Sequence, residues 1–206
     1  MSKPKAKPRV NNGPVIALII GGLALLGLLG YAAIMSTKAK PPVPPDKLTP
    51  NQYNCTSSPV HVSIPGLEFS TCKGSTHVPD GQKVNYDTDP PLSGDHWAVP
   101  TAPGFYTVAQ TPERLVHALE HGNVVIYYDP AKLPAADLEP LKALAKQYAG
   151  QWDGIVVVPR TDAKNPLILT AWENALRLPG YDKAKVDQFV DAFRGRGPEN
   201  PVRPLP

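Results

Sequence analysis

Thr111-Pro112-Glu113-Arg114-Leu115-Val116-His117-Ala118-Leu119-Glu120-His121-Gly122, running directly into Val124-Val125-Ile126-Tyr127-Tyr128, is the stretch that decides the fold. A threonine able to cap, a proline at the first helical position and an acid in the first turn together start a helix. Gly122 ends it, because glycine takes the left-handed conformation beyond a helix end without a Cβ penalty. Leu115, Val116, Ala118 and Leu119 supply the buried side. Val124 to Tyr128 is apolar throughout and predicts a buried strand.

The same reading extends in both directions. Downstream, Asp137 to Ala149 is expected as a helix, with Leu138, Leu141, Leu144, Ala145 and Tyr148 on one face and Gly150 as the stop. Ile155 to Val158 and Leu167 to Trp172 are expected as strands, and Asp182 to Phe193 as a final helix with Val186, Phe189, Val190 and Phe193 facing in. Upstream, Gly104 to Gln110 reads as a strand, and Val60 to Ile64 alternates like one. Turn chemistry fills the gap between them, at Pro79-Asp80-Gly81 and from Asp89 to Gly94. The order strand, helix, strand, helix, strand, strand, helix resembles the thioredoxin-like arrangement. No Cys-x-x-Cys accompanies it, so thiol-redox chemistry does not follow. The expected class is α/β, with α+β as the alternative: a small mixed sheet with helices, preceded by one transmembrane helix.

That helix comes from the N-terminal end. No charged residue occurs from Val10 to Thr37, and Val15 to Met35 is almost wholly apolar. Twenty-one helical residues span about 31 Å, the thickness of a bilayer core. Lys3, Lys5, Lys7 and Arg9 precede the run and favour a cytoplasmic N-terminus. A cleaved signal peptide is the rival reading, with Ala32-Ala33 a poor cleavage site. The expected organisation is a cytoplasmic basic tail (1–13), a single-pass anchor in the cell membrane (14–35), a Pro-rich spacer (36–52), an extracytoplasmic domain (53–197), periplasmic or extracellular, and a Pro-rich tail (198–206). Cys55 and Cys72 are the only cysteines and both fall beyond the anchor. In an oxidising compartment a disulfide is the default for such a pair.

Composition sets outer limits. Apolar content is 42% and charged content 19%, enough for a packed core. The net charge of +3 owes much to the first nine residues, and no basic stripe with interleaved aromatics is present, which excludes a nucleic-acid partner.

Chemistry rests on the histidines. His117 and His121 are four apart on the expected helix, so both imidazoles lie on one face and can reach one ion. Glu113, a turn earlier, is expected either to orient His117 as a hydrogen-bond acceptor or to serve the helix dipole. The same residues read as His-x-x-Glu-His, the inverted zinc-protease motif, with Glu120 as general base and Glu173 as a third ligand. Against that, the motif ends at Gly122 and the domain is small for a peptide cleft. The stretch Tyr86 to Trp97, with Pro90-Pro91, Ser93-Gly94 and then His96-Trp97, is a stiff loop that presents His96.

These segments, taken with Leu169-Thr170-Ala171-Trp172 and Arg194-Gly195-Arg196-Gly197-Pro198-Glu199, resemble the bacterial membrane-anchored family catalogued as domain of unknown function 3105. The resemblance covers roughly residues 76–199 and includes His77 in His-Val-Pro-Asp-Gly. It implies that His77, His96, His117 and His121 form one constellation. His61 falls outside it and reads as structural. Asp89 and Asp95 depart from the pattern, and the Cys55–Cys72 segment is a local elaboration.

Neutral imidazoles suit copper or zinc and suit calcium or magnesium poorly. A set of four histidines tilts toward copper, with zinc the alternative. The expected function is a copper-dependent oxidoreductase acting on a small oxygen species, of superoxide dismutase type, with Arg194 and Arg196 drawing in the anion. The alternatives are a non-catalytic copper-binding or delivery protein, a zinc hydrolase, and a module for protein partners in a cell-envelope complex.

Overall fold

The computed structural model describes residues 55–161 and 164–206. The tail, anchor and spacer expected over residues 1–52 lie outside them. Among the described residues no helix is long and apolar enough to cross a membrane.

The fold is mixed α/β. Along the chain come β1 (Leu67–Phe69), β2 (His77–Val78), β3 (His96–Trp97), β4 (Gly104–Phe105), α1 (Pro112–Glu120), β5 (Val124–Tyr128), α2 (Ala135–Gln147), β6 (Ile155–Pro159), β7 (Leu167–Ala171), β8 (Asn174–Leu178) and α3 (Lys183–Phe193). A six-stranded sheet runs β1-β8-β7-β5-β6-β4, and β2 pairs with β3 separately. Within the large sheet β4, β6 and β5 are parallel, while β7, β8 and β1 join by antiparallel pairing.

β5 is buried at every position because both faces of the sheet are covered. Val124, Ile126 and Tyr128 pack with Leu141 and Ala145 of α2 and with Val186 and Phe189 of α3. Val125 and Tyr127 point the other way, toward Leu115, Val116 and Leu119 of α1 and toward Trp172. Each such side chain, fully buried, contributes about 1.5–3 kcal/mol. Together they hold α1 by its apolar side and leave its histidine face turned away from the sheet.

Four local expectations are corrected. Val60 to Ile64 forms no strand: Val60 and Ile64 are buried, but Pro59 and Pro65 bracket the segment and withhold ladder donors, so its alternation records burial alone. The strand expected over Gly104 to Gln110 is confined to Gly104–Phe105. Thr111 caps α1 with its carbonyl, which accepts from Arg114 and Leu115, while its side chain makes no capping bond. β8 was not expected at all. Ala171 pairs with Asn174, so only Trp172 and Glu173 connect β7 to β8, with Glu173 at φ 66°. Tight connections of that kind normally carry Asn or Gly.

Candidate metal centre

The two-stranded pair places the first donors. β2 and β3 are parallel and in register, His77 opposite His96 and Val78 opposite Trp97. In-register residues of paired strands project to the same face, so the two rings meet edge to face with centroids 5.1 Å apart. Asp95 holds the pair together: its carboxylate accepts from the Thr76 amide at 3.0 Å. Tyr86 donates its hydroxyl to the Asp95 carbonyl at 2.9 Å and lies over Gly94, where a Cβ would meet its ring at 2.9 Å. The loop from Tyr86 to Trp97 is therefore stiff because its own side chains brace it.

α1 supplies the next donors. The His117 ring lies 4.7 Å from both His77 and His96. Its Nδ1 donates to the Trp97 carbonyl at 2.7 Å, which ties the helix to β3 and leaves Nε2 as the free ring nitrogen. Nδ1 of His96 donates to the Gly94 carbonyl at 2.8 Å. Backbone carbonyls thus hold a proton on Nδ1 of both rings and leave Nε2 facing the site, as outer hydrogen bonds do for metal-ligating histidines. His96 is wholly buried, and His117 and Glu120 are nearly so, whereas His77 is exposed.

One ligand atom each from His77, His96, His117 and Glu120 falls within 4.8 Å of the others. Glu120 Oε2 lies 3.0 Å from His96 Nε2, and that nitrogen has no hydrogen-bond partner. In the Nδ1–H form it carries a lone pair, so two acceptors face each other in a buried place unless a cation stands between them. Burial, first of all, pushes His117 down to about 4 from 6.5; the neighbouring His96, His121 and His77 add to this against the Trp97 bond. Burial also lowers His121, opposed by Glu199. Both rings are neutral near pH 7 and able to donate a lone pair to a metal.

The expected set is thus altered at one member. His77, His96 and His117 converge, but His121 groups with His117 and Glu199 instead. Glu120, expected beside the site or as a general base, stands among the donors. Glu113 does not orient His117: its Oε1 accepts from the Val84 amide at 3.2 Å. Glu173 is equally committed, accepting from the amides of Ser58 and Cys72, each at 2.6 Å. Arg194 binds the carbonyl and carboxylate of Asp153 and lies over the Tyr148 ring. Arg196 is buried and donates to the carbonyls of Asp191, Ala192 and Pro204. Both arginines serve the end of α3, and their contacts give no support to drawing in an anion. Cys55 and Cys72 are joined in a disulfide, Cα atoms 6.2 Å apart. His61 is exposed.

The segment from Gly195 to Glu199 crosses the end of α1. Gly195 donates to the Gly122 carbonyl at 2.8 Å, and Gly197 lies so close that a Cβ on it would meet Gly122 N at 2.2 Å. A family model described as Protein of unknown function (DUF3105) matches residues 77–204. The chain belongs to that family. The match opens on His77, the first donor, and runs past the crossing segment, so it contains both histidine groups and leaves out the disulfide. No curated protein and no solved structure matches the chain. Glu199 was missed as a site residue because nothing near it in sequence resembles a ligand motif; its only signal was its place at the end of Arg194-Gly195-Arg196-Gly197-Pro198-Glu199.

Proposed function

We propose that this DUF3105 member is a membrane-anchored, extracytoplasmic copper-binding protein that holds its ion between His77, His96, His117 and Glu120. The observation that carries the reading is the unpartnered, buried Nε2 of His96 facing the Glu120 carboxylate. Three imidazoles and a carboxylate fit both copper and zinc. Copper is favoured because it leads the divalent affinity order and because an outward domain meets it without cytosolic buffering. The apolar run at 14–35 and the Cys55–Cys72 disulfide support the location. The element order supports a thioredoxin-like arrangement used as a scaffold, without its thiol chemistry.

Copper in such a place supplies one-electron chemistry, and superoxide dismutation is one reaction open to it. Ion carriage is the better supported of the two, since Arg194 and Arg196 are both spent on protein partners. A zinc hydrolase is less favoured, with Glu173 tied to the backbone and Glu120 within the donor group. The test is metal analysis of the full chain purified in detergent and reloaded with Cu(II) or Zn(II). One tightly held copper per chain, lost in His96→Ala and His117→Ala, is expected. Retention of neither metal would end the reading. Superoxide dismutation is expected to stay at the level of an equal amount of free copper; activity above it that disappears in His117→Ala would favour the enzyme.

A further inference from the structure

His121 and Glu199 stand outside the four-donor group yet share a member with it. Ligand atoms of His117, His121 and Glu199 all lie within 4.8 Å of one another. Glu199 Oε2 is 3.2 Å from His121 Nε2. His121 is buried and stacked on Trp152 with centroids 3.9 Å apart, so its direction is fixed. Glu199 is carried in by the crossing segment, and its amide reaches toward the Glu120 carbonyl. Its side chain is 43% exposed, so each group has one exposed member, Glu199 here and His77 in the four-donor group.

His117 belongs to both groups but has only one lone pair to give. Its Nδ1 proton is held by the Trp97 carbonyl, so Nε2 alone can ligate. One neutral imidazole nitrogen holds one cation. The two groups therefore cannot both be complete at once.

We propose that His117, His121 and Glu199 form a second cation position that competes with the first for His117 Nε2, so that one copper or zinc ion passes between a two-histidine entry and a three-histidine seat. The proposal rests on the metal reading of the four-donor group. His117 stays bound throughout, while His121 and Glu199 are exchanged for His77, His96 and Glu120. A shared ligand lets the ion move without ever being released to water. The entry has two imidazoles and a carboxylate, the seat three and a carboxylate, so the ion rests in the seat.

The test uses the full chain in detergent and Cu(II) alone as the probe. Glu199→Gln removes the charge at constant size. His121→Phe removes the ligand and keeps a ring to stack on Trp152. Wild type is expected to hold one Cu(II) tightly and a second much more weakly. Both variants are expected to keep the first ion, while loading and chelator-driven release slow by about tenfold, the scale on which the loss of a supporting group acts at metal sites. Unchanged rates in both folded variants would overturn the second position, as would two ions bound with equal affinity by wild type. Absence of any bound ion in wild type would overturn the four-donor reading itself, and is seen before any variant is made. Circular dichroism identifies a variant that fails to fold, in which case the other decides.

Discussion

Glu120 Oε2 faces Nε2 of His96 across 3.0 Å, and the other nitrogen of that wholly buried ring is already given to the Gly94 carbonyl. With no proton on Nε2 the pair is unfavourable without a cation and favourable with one. Glu120→Gln separates the two conditions, because a carboxamide can donate where a carboxylate cannot. In the metal-free chain the variant is expected to melt at or above the wild-type temperature. Copper affinity, measured by chelator competition, is expected to fall by more than about 100-fold, beyond the loss typical of a group that merely orients a ligand. A metal-free variant that is clearly less stable would point to an imidazolium–carboxylate ion pair as the native state.

Glu173 has the opposite character. Its carboxylate satisfies the amides of Ser58 and Cys72, and it holds a left-handed conformation that its neighbours must maintain. Glu173→Ala leaves two donors without an acceptor and is expected to destabilise the domain by about 2–4 kcal/mol, read from denaturant unfolding. Copper stoichiometry should be unchanged. Loss of metal in a variant that remains folded would return Glu173 to the list of ligands.

Acid should weaken the metal-free domain. Burial holds His117 at about 4 against 6.5, and His121 is lowered too. Below the ordinary value the unfolded chain takes up protons that the folded domain refuses, so the His117 contribution is lost as pH drops from about 6.5 to about 4 and is constant below that. The His117 contribution is on the order of 3 kcal/mol across the window. Melting temperatures of the metal-free chain should decline over this range, and His117→Gln should flatten the decline. An equal decline in the variant would mean that His117 is not held neutral.

Reducing the Cys55–Cys72 disulfide opens a loop of sequence separation 17, for which the chain-entropy model gives about 3 kcal/mol. Reductant is expected to lower the melting temperature of wild type and leave Cys55→Ser/Cys72→Ser unaffected. The four donors come from β2, β3 and α1, so copper binding by the folded double variant should persist.

Much of the α/β layer could be read from the chain because each central element signals itself locally. Pro112 and Gly122 bound α1, and the unbroken apolar run of β5 states that both its faces are covered. β8 escaped because its turn is made by Trp172-Glu173, whose geometry is held by the distant amides of Ser58 and Cys72. The same limit applies to the site. The i, i+4 spacing placed His117 and His121 on one face, but only tertiary structure decides that Glu120 turns toward His96 while His121 turns toward Glu199. Ligand geometry set by long-range contacts leaves no periodicity to detect.

Gly122 and Gly197 test how the crossing segment reaches the site. Gly122 has φ 94°, and a Cβ there would meet Gly197 N at 2.5 Å; a Cβ on Gly197 would meet the Glu120 carbonyl oxygen at 2.2 Å. These obstacles are backbone and cannot swing aside, so the segments must part. A left-handed alanine costs about 1–2 kcal/mol, and forced separation of packed atoms costs about 1–3 kcal/mol more. Gly122→Ala is therefore expected to destabilise by about 3 kcal/mol, and Gly197→Ala by the separation alone. Gly180→Ala, where nothing lies within 4 Å, is the control and should be near neutral. Parting the segments breaks the Gly195–Gly122 hydrogen bond and withdraws Glu199 from His121. Gly197→Ala should then slow copper loading as Glu199→Gln does, while the one-ion stoichiometry set by His77, His96, His117 and Glu120 remains. Loss of the tight ion in a folded Gly197→Ala chain would mean that the crossing segment supports the three-histidine seat as well as the entry.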